Sequence, residues 1–392
     1  MSLEKEADSI ESILQKLPDK EFRQVWRILY GDGGQDLDVS EKCMKLASRY
    51  KLELVKYKFN HVVEQLRPPR LIRVALFQQK LPVPLTFPIY KVKTEMYTLA
   101  MDAVKVAAKG GAKIFSLQQA WNMPYAFCSG EKMPWSEYAE KAEEGSTTRI
   151  LQSLSQENNI VIISTILERD EIFEDRIWNT AIVIDNHGRV LGKQRRNHIP
   201  CVENSNEPTY YCEGDSGHPV FETEYGKIGI NICYERHYPL SWFALALNGA
   251  EIVFNPCGAI GEEAELLWGI EARNAAIANG YYVCTVNRIG MEIYDHEYED
   301  EEGNLIHHKD SGLFFGSSYV TAPNGSRSPG LSRTKNGLLI AEFDLNLCRQ
   351  VKDNRGIGHT HMLPKYRDLL LQATNSDFKP QVIKKHCHCY SI

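Results

Sequence analysis

Between Leu71 and Cys348 the chain alternates short β-branched apolar runs with longer stretches of helical periodicity, and that alternation limits the possible folds more than any other feature. Short apolar runs bounded by turns read as buried strands, and apolar residues recurring every third or fourth position read as helices. Residues 71–78, 113–117 and 160–166 are expected strands, with helices over 96–108 and 147–156 between them. Asp185-Asn186-His187-Gly188 is a turn sequence that joins strands 180–184 and 189–192 into a hairpin. Two strands flank Gly226 between Phe221 and Cys233. A helix over 239–247, a strand over 251–255 and a helix over 262–278 follow, the last closed by Gly280 as a left-handed cap. Residues 282–287, 317–322 and 338–343 are the remaining strands. Elements mixed in this way predict an α/β chain with two mixed sheets and helices on their outer faces.

The flanks differ. Residues 1–70 are charged and carry apolar residues at helical spacing over 8–17 and 19–29, before Pro68 and Pro69 close the segment. A helical extension is expected there, packed on the main domain (71–350) or on another subunit; a loosely held arm is the other reading. Residues 351–392 read as an irregular C-terminal arm, and the polar stretch 294–310 as an exposed loop. A net charge of -6 without a basic stripe gives no reason to expect nucleic acid. The acidic start lacks the parts of a secretory signal, and no apolar run is long enough for a bilayer. A cytoplasmic protein is expected. Its 10 cysteines, Cys233, Cys257 and Cys284 among them, then read as free thiols in a reducing compartment. His386-Cys387-His388-Cys389 lacks the usual zinc spacing, so no metal is expected. Ser391 disfavours a prenylation box at Cys389–Ile392.

Chemistry concentrates at three polar strand ends: Gln118-Gln119-Ala120-Trp121, residues 195–200, and residues 233–237. In the third, an apolar strand delivers the thiol of Cys233, and a polar turn leading into a helix exposes it. A thiol that attacks an amide needs a base, a cation or donor for the oxyanion, and a pocket for the rest of the substrate. Strand ends are where α/β folds place such groups. His198 and His237 lie in these turns, where a histidine is ordinarily a local hydrogen-bonding residue.

These stretches resemble the carbon–nitrogen hydrolase (nitrilase) superfamily, and within it the branch that hydrolyses N-carbamoyl-β-alanine in pyrimidine breakdown. The likeness is carried by QQAWNMPYAFC (118–128), RRNHIP (195–200), NEPTYYCEG (206–214), NICYERHYP (231–239), NGAEIVFNP (248–256) and EARNAAIAN (271–279), and it reaches back to RILYG (27–31). It implies a four-layer α-β-β-α sandwich, homo-oligomers, no cofactor, and a catalytic set of glutamate, lysine and cysteine with a second glutamate in support. The cysteine falls on Cys233 and the supporting glutamate on Glu207. The base position holds Gln119, the lysine position holds Arg196, and the small residue after Cys-Tyr is replaced by Glu235. The family's Thr-Gly-Arg-Tyr pattern reads HTHMLPKY (359–366). Arg236 resembles the family's partner for a substrate carboxylate; the alternative is a local salt bridge to Glu235 or Glu207.

The departures have physical weight. A glutamine amide accepts no proton at neutral pH, and losing one general base costs roughly 10²–10⁴-fold in rate. Arg196 keeps the charge of a lysine in a larger, planar group. Glu235 places a negative charge beside Cys233 and is expected to raise the thiol's pKa. One expectation is therefore a chain that keeps a pocket for a small carboxylate metabolite, a ureido acid or β-amino acid, with hydrolysis lost or severely impaired, alone or in mixed oligomers with an active paralogue. The other is an active amidohydrolase with a rearranged base such as Glu207.

Overall fold

The structure is a computed structural model and describes residues 7–31, 34–129, 133–202, 205–294, 298–299, 305–306 and 310–382. The HCHC tail motif, the prenylation-like box and most of the polar stretch 294–310 lie outside the described residues. Two compact units are present, Met1–Val351 and Lys352–Ile392.

The first unit begins with α1 (Ile10–Leu14), α2 (Asp19–Tyr30) and α3 (Glu41–Arg49). Strands β1 (Glu53–Lys58), β2 (Leu71–Gln78), β3 (Ile114–Leu117), β4 (Val161–Arg169), β5 (Ile177–Ile184) and β6 (Val190–Arg195) follow, with α4 (Ile89–Lys109) and α5 (Ser146–Asn158) between them. Then come β7 (Val220–Thr223), β8 (Gly226–Ile230), α6 (Pro239–Leu247), β9 (Ile252–Pro256), α7 (Gly261–Asn279), β10 (Tyr282–Val286), β11 (Tyr319–Thr321) and β12 (Gly337–Asp344).

The first sheet has seven strands in the order β1-β12-β2-β3-β4-β5-β6; the second has five, β11-β10-β9-β8-β7. Both are mixed. Strands β2, β3 and β4 run parallel, as do β8, β9 and β10; β12 is antiparallel to β2, β5 to β4 and β6, β7 to β8, and β11 to β10. Side-chain alternation along β2 explains the layering. Val74 and Leu76 face the core shared with Ile228, Ile230 and Val253 of the second sheet, while Ala75 and Phe77 face Met96, Ala100 and Ala103 of α4. Helices α6 and α7 cover the far side of the second sheet through Trp242, Leu245, Trp268 and Ala272. The result is the α-β-β-α sandwich.

The N-terminal segment is not wholly helical. Glu53–Lys58 is a strand on the edge of the first sheet, parallel to β12. Its lysines and glutamate are half-buried or paired at that edge, which is why the run read as a charged helix. The helices before it are tied to the same chain: Glu11 accepts hydrogen bonds from Tyr30 (2.7 Å) and Gly330 N–H (2.9 Å), and Asp8 pairs with Lys335 at 2.5 Å. Past β12 lie α8 (Asn346–Arg355), α9 (Ile357–Thr360) and α10 (Leu363–Ala373).

Candidate active site

Cys233 follows β8 by three residues and opens a short helical turn, Cys233–His237, that leads into α6. Its φ is +49°, in the left-handed region, which side chains with a Cβ seldom adopt. Such strain survives where the surroundings hold it and is common at functional sites. Cys233 is buried, 8% of the residue remaining exposed.

Arg196 and Glu207 meet beside it. Arg196 extends from the end of β6 and is completely buried. Its Nη1 lies 2.5 Å from Glu207 Oε2 and donates to the Tyr211 hydroxyl at 2.7 Å, and its Nε donates to the His198 carbonyl at 3.0 Å. Burial works against its charge, and Glu207 together with Tyr211, Cys233 and Tyr125 more than offsets this, holding the guanidinium above its ordinary pKa. Glu207 accepts on both oxygens: Tyr125 donates to Oε1 at 3.2 Å, and Tyr211 also donates to Oε2. Arg196 Nη2 has no hydrogen-bond partner among the described residues.

The thiol itself is tuned. A hydrogen bond from the Cys257 thiol lowers the Cys233 pKa below its ordinary value; burial opposes this, the Arg196 charge and the Gly258 N–H assist it, and Glu207 opposes it. The expected upward shift from Glu235 is thus corrected. Glu235 is two residues away in sequence, but its carboxylate turns back onto the backbone, accepting from Ile232 N–H at 2.7 Å and Asn197 N–H at 2.9 Å. It clamps the turn instead of facing the thiol.

Gln119 lies just beyond β3 and is completely buried. Its carbonyl accepts from Arg288 at 3.1 Å, and the next residue, Ala120, has a φ of +47°. Neither atom of its side-chain amide has a hydrogen-bond partner among the described residues. A buried polar group left unmatched costs about 1–3 kcal/mol, so this amide is poised to accept a partner.

Arg236 is engaged elsewhere. Its Nε lies 2.8 Å from Glu271, its Nη2 donates to the Trp268 carbonyl at 2.9 Å, and its plane covers the Trp268 ring at 4.1 Å. The local salt bridge is therefore present, with Glu271 in place of Glu235 or Glu207, and a carboxylate ligand would have to compete with Glu271. His237 also bonds Glu271, at 2.6 Å, and His198 stacks on Tyr238 at 3.8 Å. Both histidines are local partners.

Sequence reasoning passed over Tyr125, Tyr211, Cys257 and Gly258 as site residues. Tyr125 and Tyr211 stand inside stretches already singled out, yet a tyrosine there reads as core. Gly258 is required by close approach: a Cβ at this position would fall 2.4 Å from the Tyr125 ring.

Comparison with known proteins shows the family and the fold. The family model for carbon–nitrogen hydrolases matches residues 73–353. A beta-ureidopropionase of Arabidopsis thaliana is 45% identical over 381 residues, 96% of this chain and 93% of that protein. An N-carbamoylputrescine amidase of Solanum lycopersicum is 30% identical over 68% of this chain and 87% of its own length. A carbon–nitrogen hydrolase from Helicobacter pylori G27 has a similar fold, with a TM-score of 0.64 at 25% identity over 76% of this chain and 98% of its own.

Proposed function

The chain belongs to the carbon–nitrogen hydrolase family, and from that premise we propose that it binds a ureido acid such as N-carbamoyl-β-alanine beside Cys233 with its hydrolysis severely impaired. One observation carries this reading. Glu207 is the carboxylate that acts on the Cys233 thiol, and both its oxygens already accept hydrogen bonds, one of them from Arg196 at 2.5 Å.

Hydrolysis through a thiol needs proton transfer twice. The thiolate attacks the ureido carbon, and the departing nitrogen must gain a proton to leave as ammonia. Water must then lose a proton to attack the resulting thiocarbamate. Cys233 is favoured as thiolate without any base, and Arg196 Nη2 is available to the oxyanion. The proton shuttle is what is missing, because Gln119 is neutral and Glu207 is held in its ion pair.

The test is ammonia release from N-carbamoyl-β-alanine, comparing the natural chain with the double variant Gln119→Glu, Arg196→Lys. We expect the natural chain to be roughly 10²–10⁴-fold slower than the double variant. Turnover by the natural chain at an ordinary enzymatic rate, about 1 per second or faster, would sink the proposal. The lowered thiol supports the second reading, an active amidohydrolase with Glu207 as base, and that result would establish it over the first.

We also propose that the chain assembles with copies of itself. Leu363, Tyr366, Leu369, Leu370 and Leu371 of α10 are all exposed, an apolar surface of the sort that marks an interface.

A further inference from the structure

Cys233 has a second thiol as its neighbour. The register of β8 and β9 pairs Ile228 with Ile252 and Ile230 with Phe254, and it continues where Asn231 N–H donates to the Phe254 carbonyl at 2.9 Å. Cys233 and Cys257 each lie three residues past the last paired positions, Ile230 and Phe254, and the two thiols meet there within hydrogen-bonding reach, close enough for a disulfide once the turn that Cys233 opens adjusts. Contacts around the pair agree: Arg236, on the turn that Cys233 opens, places Nη1 3.9 Å from Cys257 Sγ, and Cys257 Sγ lies 3.2 Å from Asn255 Oδ1. Both thiols are free and both residues are buried, Cys257 completely and Cys233 with 8% of the residue exposed.

We propose that Cys233 and Cys257 form a hydroperoxide-reactive pair, in which Cys233 is oxidised first and Cys257 resolves it to a disulfide. The Cys233 thiolate attacks one oxygen of the hydroperoxide. The O–O bond breaks, the remaining oxygen leaves as hydroxide or alkoxide, and Cys233 becomes a sulfenic acid. Sulfur loses two electrons and the peroxide gains them. The Cys257 sulfur then attacks the sulfenic sulfur; the S–S bond forms, the S–O bond breaks, and the Cys257 proton leaves with the hydroxyl as water. Arg236 stabilises the charge that builds on Cys257 as its proton departs. The first step needs no base at Gln119, because Cys233 is already favoured as thiolate; in the second, burial and Cys233 hold the Cys257 thiol above its ordinary pKa, so it attacks as its proton departs toward the leaving hydroxyl. A hydroperoxide is also small enough to reach a thiol with little exposure.

The pair needs no turnover of a ureido acid, so ammonia release does not enter its test. The purified full-length chain is treated with a small excess of hydrogen peroxide, free thiols are blocked, and peptides are mapped by mass spectrometry. The expected product is a peptide linking 233 to 257 that is reversed by dithiothreitol. It forms at least about tenfold faster than oxidation at buried Cys43 or Cys284. In Cys257→Ser the link is lost and dimedone captures a sulfenic acid at Cys233. In Cys233→Ser, Cys257 stays reduced. A natural chain that oxidises elsewhere first, or takes Cys233 to sulfinic acid without a link, overturns the proposal, and that arm decides the matter even if a variant fails to fold.

Discussion

A lowered thiol pKa widens the pH range in which Cys233 is ionised. Thiolate is the reactive form, so alkylation should persist toward neutral pH and fade only as pH falls through the lowered value. With iodoacetamide, the midpoint of rate against pH should lie below the roughly 8.5 of an ordinary thiol. Arg196→Met removes a favourable charge and should move that midpoint up, whereas Glu207→Gln removes an unfavourable one and should move it down. A Cys233 that reacts no faster than Cys284 contradicts this account. Glu235 supplies the contrast. Glu235→Gln should leave the alkylation midpoint in place and cost roughly 1–3 kcal/mol in denaturant unfolding, because a buried carboxylate holding two backbone N–H groups is weakened. A shifted midpoint with unchanged stability would reverse that assignment. The sequence displayed which residues stand at 119, 196 and 235. It did not display where Glu235 points, because successive side chains of a tight helical turn diverge in direction and adjacency in sequence says little about facing.

At the scale of elements, the strands and helices of the sandwich were legible from periodicity, since each buries one face and alternates accordingly. Leu71–Gln78 and Pro239–Leu247 fall where the pattern places them. Helix α4 begins at Ile89, earlier than expected, because its first turns carry Tyr90, Lys91 and Thr94, which face outward and hide the period. Strand β1 was hidden for a similar reason: an edge strand of alternating charge lacks the apolar signature of the strands inside the sheet. Ending β12 without β1 would leave an unpaired edge, so a chain lacking residues 1–60 should aggregate on expression. Recovery of a soluble, cooperatively folding truncation would argue against that. The loop carrying Cys257 and Gly258 is closely packed against Tyr125. Gly258→Ala should cost roughly 1–3 kcal/mol in thermal unfolding and slow Cys233 alkylation together, because the Tyr125 ring must move. Full retention of both properties would show that the loop yields.

For the whole molecule, the exposed leucines of α10 are the feature to test. Leu369→Glu with Leu370→Glu should lower the mass seen by sedimentation, and an unchanged mass would remove α10 from the interface. No helix among the described residues is long and apolar enough to cross a membrane. The pairing of β12 with both β1 and β2 has a consequence for biosynthesis. Both early strands leave the ribosome long before their shared partner is translated. At about 5–20 residues per second the wait is roughly ten seconds to a minute. During that interval the nascent chain carries an open sheet, so its yield in a cell should depend on holding chaperones and on uninterrupted translation to the last strand.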